Sequence, residues 1–217
     1  MTFFIKINDL LFHPDAFFAQ LENDEVNLVP PVAIALFPGI GFIVAFMVQM
    51  TLTGTAAGQS ENEILTRLLT SSPLMMIFLF PLLMWVIASV VIWLVSGKLS
   101  GTGSLKATLQ NTGYGLFPSG IYSIISQVLS IGIISISAET QSFGVTVVPL
   151  MILSLSSLVF TFWTWYVWVC GTMHAQRITM GNAVIAVVVV IVVQWILAIL
   201  LYVLPFVWGM LGQQLFM

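Results

Sequence analysis

The sequence predicts an all-α fold: a polytopic membrane helical bundle of five transmembrane helices, with short amphipathic helices lying at the interface. Three observations lead there. Of 217 residues, 59% are hydrophobic and only 6% are charged, whereas soluble domains carry about 25% charge. So few ions cannot cover a water-facing surface. Five runs are each long enough for a hydrocarbon core, which takes about 20 apolar residues. No Asp, Glu, Lys or Arg falls well inside a run.

Residues 1–29 read as an interfacial segment ahead of a membrane domain spanning 30–212. In "TFFIKINDLLFHPDAFFAQLEND", Phe12, Ala16 and Ala19 recur at helical spacing with Phe17 and Leu21 alongside. Pro14 suits the first turn of a helix, where its missing N–H costs nothing. The whole stretch reads as an amphipathic helix on the membrane surface. The charges at Lys6, Asp9, Asp15, Glu22, Asp24 and Glu25 interrupt any signal-type apolar core.

The five spans run roughly over 30–52, 73–96, 113–137, 145–171 and 183–210. Between the first two, Ser60 with Glu63 forms a capping box, and Ile64, Leu65, Leu68 and Leu69 form an apolar stripe. That predicts a second interfacial helix. Ser104 is a candidate N-cap for a short amphipathic turn or two before the third span, and Thr179 for the fifth. With five crossings, Lys6, Lys98, Lys106 and Arg177 share one side and Arg67 takes the other. Cytoplasmic segments hold the excess of Lys and Arg, so the N-terminus is expected in the cytoplasm and the C-terminus outside.

"NTGYG" at 111–115 raises the question of a potassium filter, whose carbonyls replace an ion's water shell. Asn111 and Thr112 stand where a filter has Thr and Val, and Leu116, Phe117 and Pro118 continue into a full span. Open filter carbonyls must instead line water. The better reading is mechanical. Gly113 and Gly115 allow close helix approach, Tyr114 suits the headgroup level, and Pro118 kinks the helix by freeing the carbonyl of Tyr114.

Several function classes recede. A net charge of −3 gives no basis for nucleic-acid binding. The single Cys170 forms no intrachain disulfide and reads as a small packing residue. His13 and His174 have no carboxylate or cysteine cluster in sequence, so no metal site and no cofactor are expected. The serines in the spans have no neighbouring base, so no catalytic set is expected. Gln127 and Gln194 are the main intramembrane amides; each is either an interhelical hydrogen bond or part of a polar pocket. Lys106, His174 and Arg177 are candidates for a lipid headgroup contact, since cations on the cytoplasmic flank can meet phosphate. The aromatic run Phe160–Trp168 reads as an interfacial belt or a lipid-tail groove.

"GTGSLKATLQNTGYGLFPSGI", with Gly101, Gly103, Ser104, Leu105, Lys106, Gly113, Tyr114 and Pro118, resembles the Yip1 family of membrane proteins. So does "GTMHAQRITMGNAVIA", with Gly171, His174, Thr179, Gly181 and Ala183, and so does the proline-centred "LLFHPDAFFAQL". The resemblance implies five transmembrane helices, a cytoplasmic N-terminus and a compact prokaryotic-type member of a prokaryotic cell membrane. The resemblance further implies that eukaryotic relatives act in membrane traffic, contact Rab-type GTPases and one another, and carry a long N-terminal region with an acidic motif. That region is absent here, so GTPase binding is not expected. The expected partners are membrane lipids, a second copy of the chain or other membrane proteins. Two functions stay open: a non-enzymatic membrane organiser, or a passive channel or transporter for a small solute or lipid.

Overall fold

The computed structural model describes residues 3–56, 66, 73–140 and 143–215, and every regular element among them is a helix. The predicted cap at Ser60 and the stripe Ile64, Leu65, Leu68 and Leu69 lie outside the described residues. The N-terminal segment is two helices, α1 (Phe3–Phe12) and α2 (Pro14–Leu21). His13 breaks them with φ −135° and ψ 54°, and Pro14 opens α2. This break corrects the expected stripe. Phe12, Ala16 and Ala19 do not share one helix phase across His13, and all three are exposed. Of the expected set, Phe17 is buried and Leu21 packs beside it, and Leu10 and Phe18 join them facing the protein.

Helix α3 (Val29–Ala56) is 28 residues long, uncharged and carries Pro38 inside it. Asn27 steadies its start by accepting the Val29 N–H through Oδ1 at 3.0 Å. Then come α4 (Pro73–Lys98), α5 (Leu105–Gly115), α6 (Phe117–Thr140), α7 (Phe143–Gln176) and α8 (Met180–Leu215). The two caps form as local chemistry dictates. Ser104 Oγ accepts the Ala107 N–H at 3.2 Å, and Thr179 Oγ1 accepts that of Asn182 at 3.4 Å.

Helices α4 and α7 end alike. Ser100 and Arg177 take left-handed φ values of 68° and 55°. The next residue then donates back across the last turn, Gly101 N to Ser96 O at 2.8 Å and Ile178 N to Met173 O at 3.2 Å. These are Schellman closures with a non-glycine residue in the strained position.

Four stretches are long and apolar enough to cross a membrane: Leu79–Lys98, Leu105–Ile133, Val147–Gln176 and Met180–Leu200. Val29–Gly41, at the start of α3, is a shorter apolar stretch. At most 28% of any of the four is buried in the protein, so their apolar side chains mostly face outward and lipid is the solvent they suit. The chain is a multi-pass membrane bundle. Helix α7 packs against α6, α5, α8 and α2, while α3 packs against α4, α5 and α6. One apolar core lies among α4, α7 and α8, built on Ile92, Trp168, Val187 and Val190.

Candidate functional site

Helix α5 is more than the amphipathic lead-in expected of it. Its Thr108, Gln110, Asn111, Thr112, Gly113 and Gly115 are all buried, wedged between α3, α4 and α7. Polar groups deep in a bundle must be hydrogen-bonded, and most of these are. Thr112 Oγ1 sits 2.7 Å from Thr108 O and 2.7 Å from Ser89 Oγ. It also accepts Trp85 Nε1–H at 3.2 Å. One donor and two lone pairs are thereby all used. Asn111 Nδ2 donates to Gly171 O at 3.0 Å. Gln176 Nε2 donates to Thr108 Oγ1.

The Gly-Tyr-Gly stretch closes this wedge. Helix α5 stops at Gly115 and α6 restarts at Phe117, with Leu116 N turning back to Gly113 O at 3.2 Å. The Thr112 carbonyl, which a continuing helix would satisfy from residue 116, accepts the Trp168 indole N–H at 3.0 Å instead. A Cβ on Gly113 would lie 2.5 Å from Pro31 Cβ, and one on Gly115 would lie 2.1 Å from Trp168 Cδ1. Tyr114 points the other way and meets the Phe17 ring edge-on, with centroids 5.2 Å apart. Pro118 is fully buried just beyond the break.

Phe17 belongs to a latch that fastens the N-terminal helices to α7. Leu10, Phe17 and Phe18 pack with Val167 and Cys170. Trp163 Nε1 donates to Leu11 O at 3.1 Å. His174 Nε2 lies 2.9 Å from Asp15 Oδ1, and Arg177 Nε donates to Glu22 Oε1 at 2.8 Å. The apolar part should dominate. Exposed ion pairs contribute about 0–1 kcal/mol, and a left-handed non-glycine costs about 1–2 kcal/mol. Truncating a core Phe to Ala costs about 3–5 kcal/mol, and Phe18 is completely buried. We therefore expect Arg177→Gly to leave the latch closed and Phe18→Ala to open it. Limited proteolysis between residues 22 and 28 reads this directly; faster cleavage in Arg177→Gly than in Phe18→Ala would reverse the ranking.

Latch and wedge together enclose a cavity of about 210 Å³. Its rim carries Glu22, Asp24, His174 and Arg177, and its wall includes Ser104, Ala107, Gln110 and Asn111. Lys106 is exposed on α5 and is not part of the lining. Of the three proposed headgroup contacts, then, His174 and Arg177 meet at one cavity, each beside a carboxylate, and Lys106 stands apart. Among the described residues no three of His, Cys, Asp and Glu gather as metal ligands.

The model of the Yip1 domain matches residues 8–204, which takes in latch, wedge and all the spans described. The chain belongs to the Yip1 family. It is also similar to an uncharacterized protein of the archaeon Methanocaldococcus jannaschii, 26% identical over 124 residues, covering 56% of this chain and 86% of that protein. No solved structure matches it.

In this Yip1 protein the two intramembrane glutamines are not brought together. Gln127 on α6 faces α3 near Gly41 and donates Nε2–H to Ser123 Oγ at 2.8 Å. Its Oε1 is buried without a partner among the described residues. Gln194 is half-buried on α8, whose main packing partners are α4 and α7 rather than α6. Reading the sequence missed Phe18, Ser89, Thr108 and Gln176, all buried completely. The spacing of Thr108 and Thr112, and of Trp85 and Ser89, four apart on one helix face, is the signal that could have found the polar wedge.

Proposed function

We propose that this Yip1 protein is a non-enzymatic membrane organiser, which holds lipid and protein partners, including a second copy of itself, at the end of the bundle where the latch closes. The observation that carries the reading is the latch itself. A pair of short helices is clipped across the α5 wedge and the end of α7 by aromatic packing, the Arg177–Glu22 ion pair and the His174–Asp15 hydrogen bond. Polar side chains in the wedge hydrogen-bond helix to helix. That use of polar groups builds a rigid platform.

The charge bias of Lys6, Lys98, Lys106 and Arg177 supports a cytoplasmic platform, with the C-terminus outside a prokaryotic cell membrane. Cys170 is buried, so a cysteine introduced at exposed Ser100 gives a clean report. It should react with a membrane-impermeant thiol reagent only after the cytoplasmic side is opened. Modification in intact cells would invert the topology.

The second reading, a passive conduit for a small solute or lipid, is favoured by Gln127 Oε1, which is buried without a partner among the described residues. Two measurements separate them. Crosslinking in native membranes, with light scattering in detergent, should give a discrete oligomer or a co-purifying lipid or protein. A monomer without either, together with solute or lipid flux in proteoliposomes, would replace the organiser with the conduit.

A further inference from the structure

We infer that the cavity between α2, α5 and the α7–α8 turn binds a small uncharged polyhydroxylated group, held by the carboxamides of Gln110 and Asn111. The assignment rests on the partner-binding reading above and names its ligand class.

The floor of the cavity decides the chemistry. Gln110 is 3% exposed and Asn111 6% exposed, and both line it. No described residue hydrogen-bonds the Gln110 side chain. The Gln110 amide is not sealed off from water but faces the cavity, so a ligand hydroxyl there replaces water and gains a net hydrogen bond of about 0.5–1.5 kcal/mol. Asn111 Nδ2 is fixed on Gly171 O, and that bond does not use its Oδ1. The floor thus offers donors from Gln110 and acceptors from both amides. A hydroxyl, which donates and accepts, matches such a floor. A phosphate or carboxylate only accepts and leaves Asn111 Oδ1 unmet. An ammonium only donates, leaves the Gln110 N–H groups unmet, and finds no carboxylate on the floor to offset its lost hydration.

The rim holds no cationic side chain that is not already bonded to a carboxylate. Glu22 and Asp24 stand there with Arg177 and His174. Arg177 and Glu22 bond each other at 2.8 Å, and His174 is 2.9 Å from Asp15. Size sets the upper limit. Sites that engulf a whole drug-sized ligand measure about 300–1,000 Å³, so 210 Å³ takes one sugar or polyol unit. The unit could be the head of a glycolipid in the same membrane or a free sugar from the water phase.

The test uses the full chain in phosphatidylcholine nanodiscs. Native mass spectrometry follows retention of added monoglucosyl-diacylglycerol, phosphatidylethanolamine or phosphatidic acid. Saturation-transfer NMR follows methyl glucoside as the free form. The expected result is about tenfold preference for the glucosyl lipid over phosphatidylcholine, or saturation transfer to methyl glucoside, or both. Which arm responds identifies the source. Gln110→Leu should abolish the response. Ala107→Leu should as well, because it fills the cavity while leaving both amides; it keeps the test decisive if Gln110→Leu fails to fold. No response in either arm, a preference for the ethanolamine or phosphate head, or a response untouched by both variants would overturn the assignment. Crosslinking of the same samples reports on the organiser reading separately, so either can fail while the other stands.

Discussion

Replacing Gly103 with alanine should lower the thermal midpoint in detergent more than any substitution on the lipid-facing surface. A Cβ at this position would lie 1.8 Å from the Ala175 carbonyl oxygen, 2.7 Å from its carbon and 2.8 Å from Gln176 Cα. All three atoms are backbone, so no rotamer change relieves the contact. The α4–α5 turn and the end of α7 must separate. That separation breaks the Thr102 N–H bond to Gln176 O, 3.1 Å in the native structure. It also strains the Gln176–Thr108 bond beside it. Overpacking costs about 1–3 kcal/mol where side chains yield, and a backbone clash belongs at or beyond the upper end. Gly97, near the end of α4, has nothing within 4 Å of its would-be Cβ. There alanine should raise the midpoint slightly, since a helical glycine is up to about 1 kcal/mol less favourable. Two alanines six residues apart with effects of opposite sign, read by circular dichroism on heating, test the packing at Gly103. Equal midpoints for both variants would show that the turn does not touch α7.

Much of this architecture was legible because it is local. Ser104 and Thr179 cap helices through bonds that span three residues, and Pro14 starts one because it lacks an N–H. The apolar runs announce the membrane by length alone. What was not legible depends on neighbours distant in the chain. The third span was expected to begin at Gly113, after a short amphipathic turn or two capped by Ser104. In the structure the apolar stretch opens with a separate helix, α5, from Leu105, whose Thr108, Gln110, Asn111 and Thr112 are shielded by α4 and α7. The partner of Thr108 is Gln176 and that of Asn111 is Gly171, pairings that no spacing rule contains. The stripe on the N-terminal segment was misjudged for a different reason. A single helical phase was carried through His13, where the backbone breaks. The cavity needed both facts at once: α5 buried, and α2 rotated so that Glu22 and Asp24 reach its rim.

The same distance rule explains why the glycine after Tyr114 matters, and it yields a test that single variants cannot supply. Trp168 is 3% exposed and fills the space that a side chain at 115 would need. Its N–H also satisfies the Thr112 carbonyl that the helix break strands. Trp168→Ala should therefore cost about 3–5 kcal/mol, as large aromatic truncations in cores do. Gly115→Ala should cost about 1–3 kcal/mol by overpacking, since its methyl would lie 2.1 Å from Trp168 Cδ1 and 2.7 Å from Nε1. If the glycine exists to admit the indole, the clash vanishes with the ring. The double variant should then be no less stable than Trp168→Ala alone, a coupling of about 1–3 kcal/mol between residues in contact. Trp168→Phe separates the two roles of the indole. It keeps most of the ring's volume but removes the N–H, leaving the buried Thr112 carbonyl unmet at about 1–3 kcal/mol. Midpoints from chemical denaturation of the four proteins of the cycle decide the matter. Strict additivity would mean that Gly115 is needed for its backbone at the α5–α6 break, and that the fit to Trp168 is incidental.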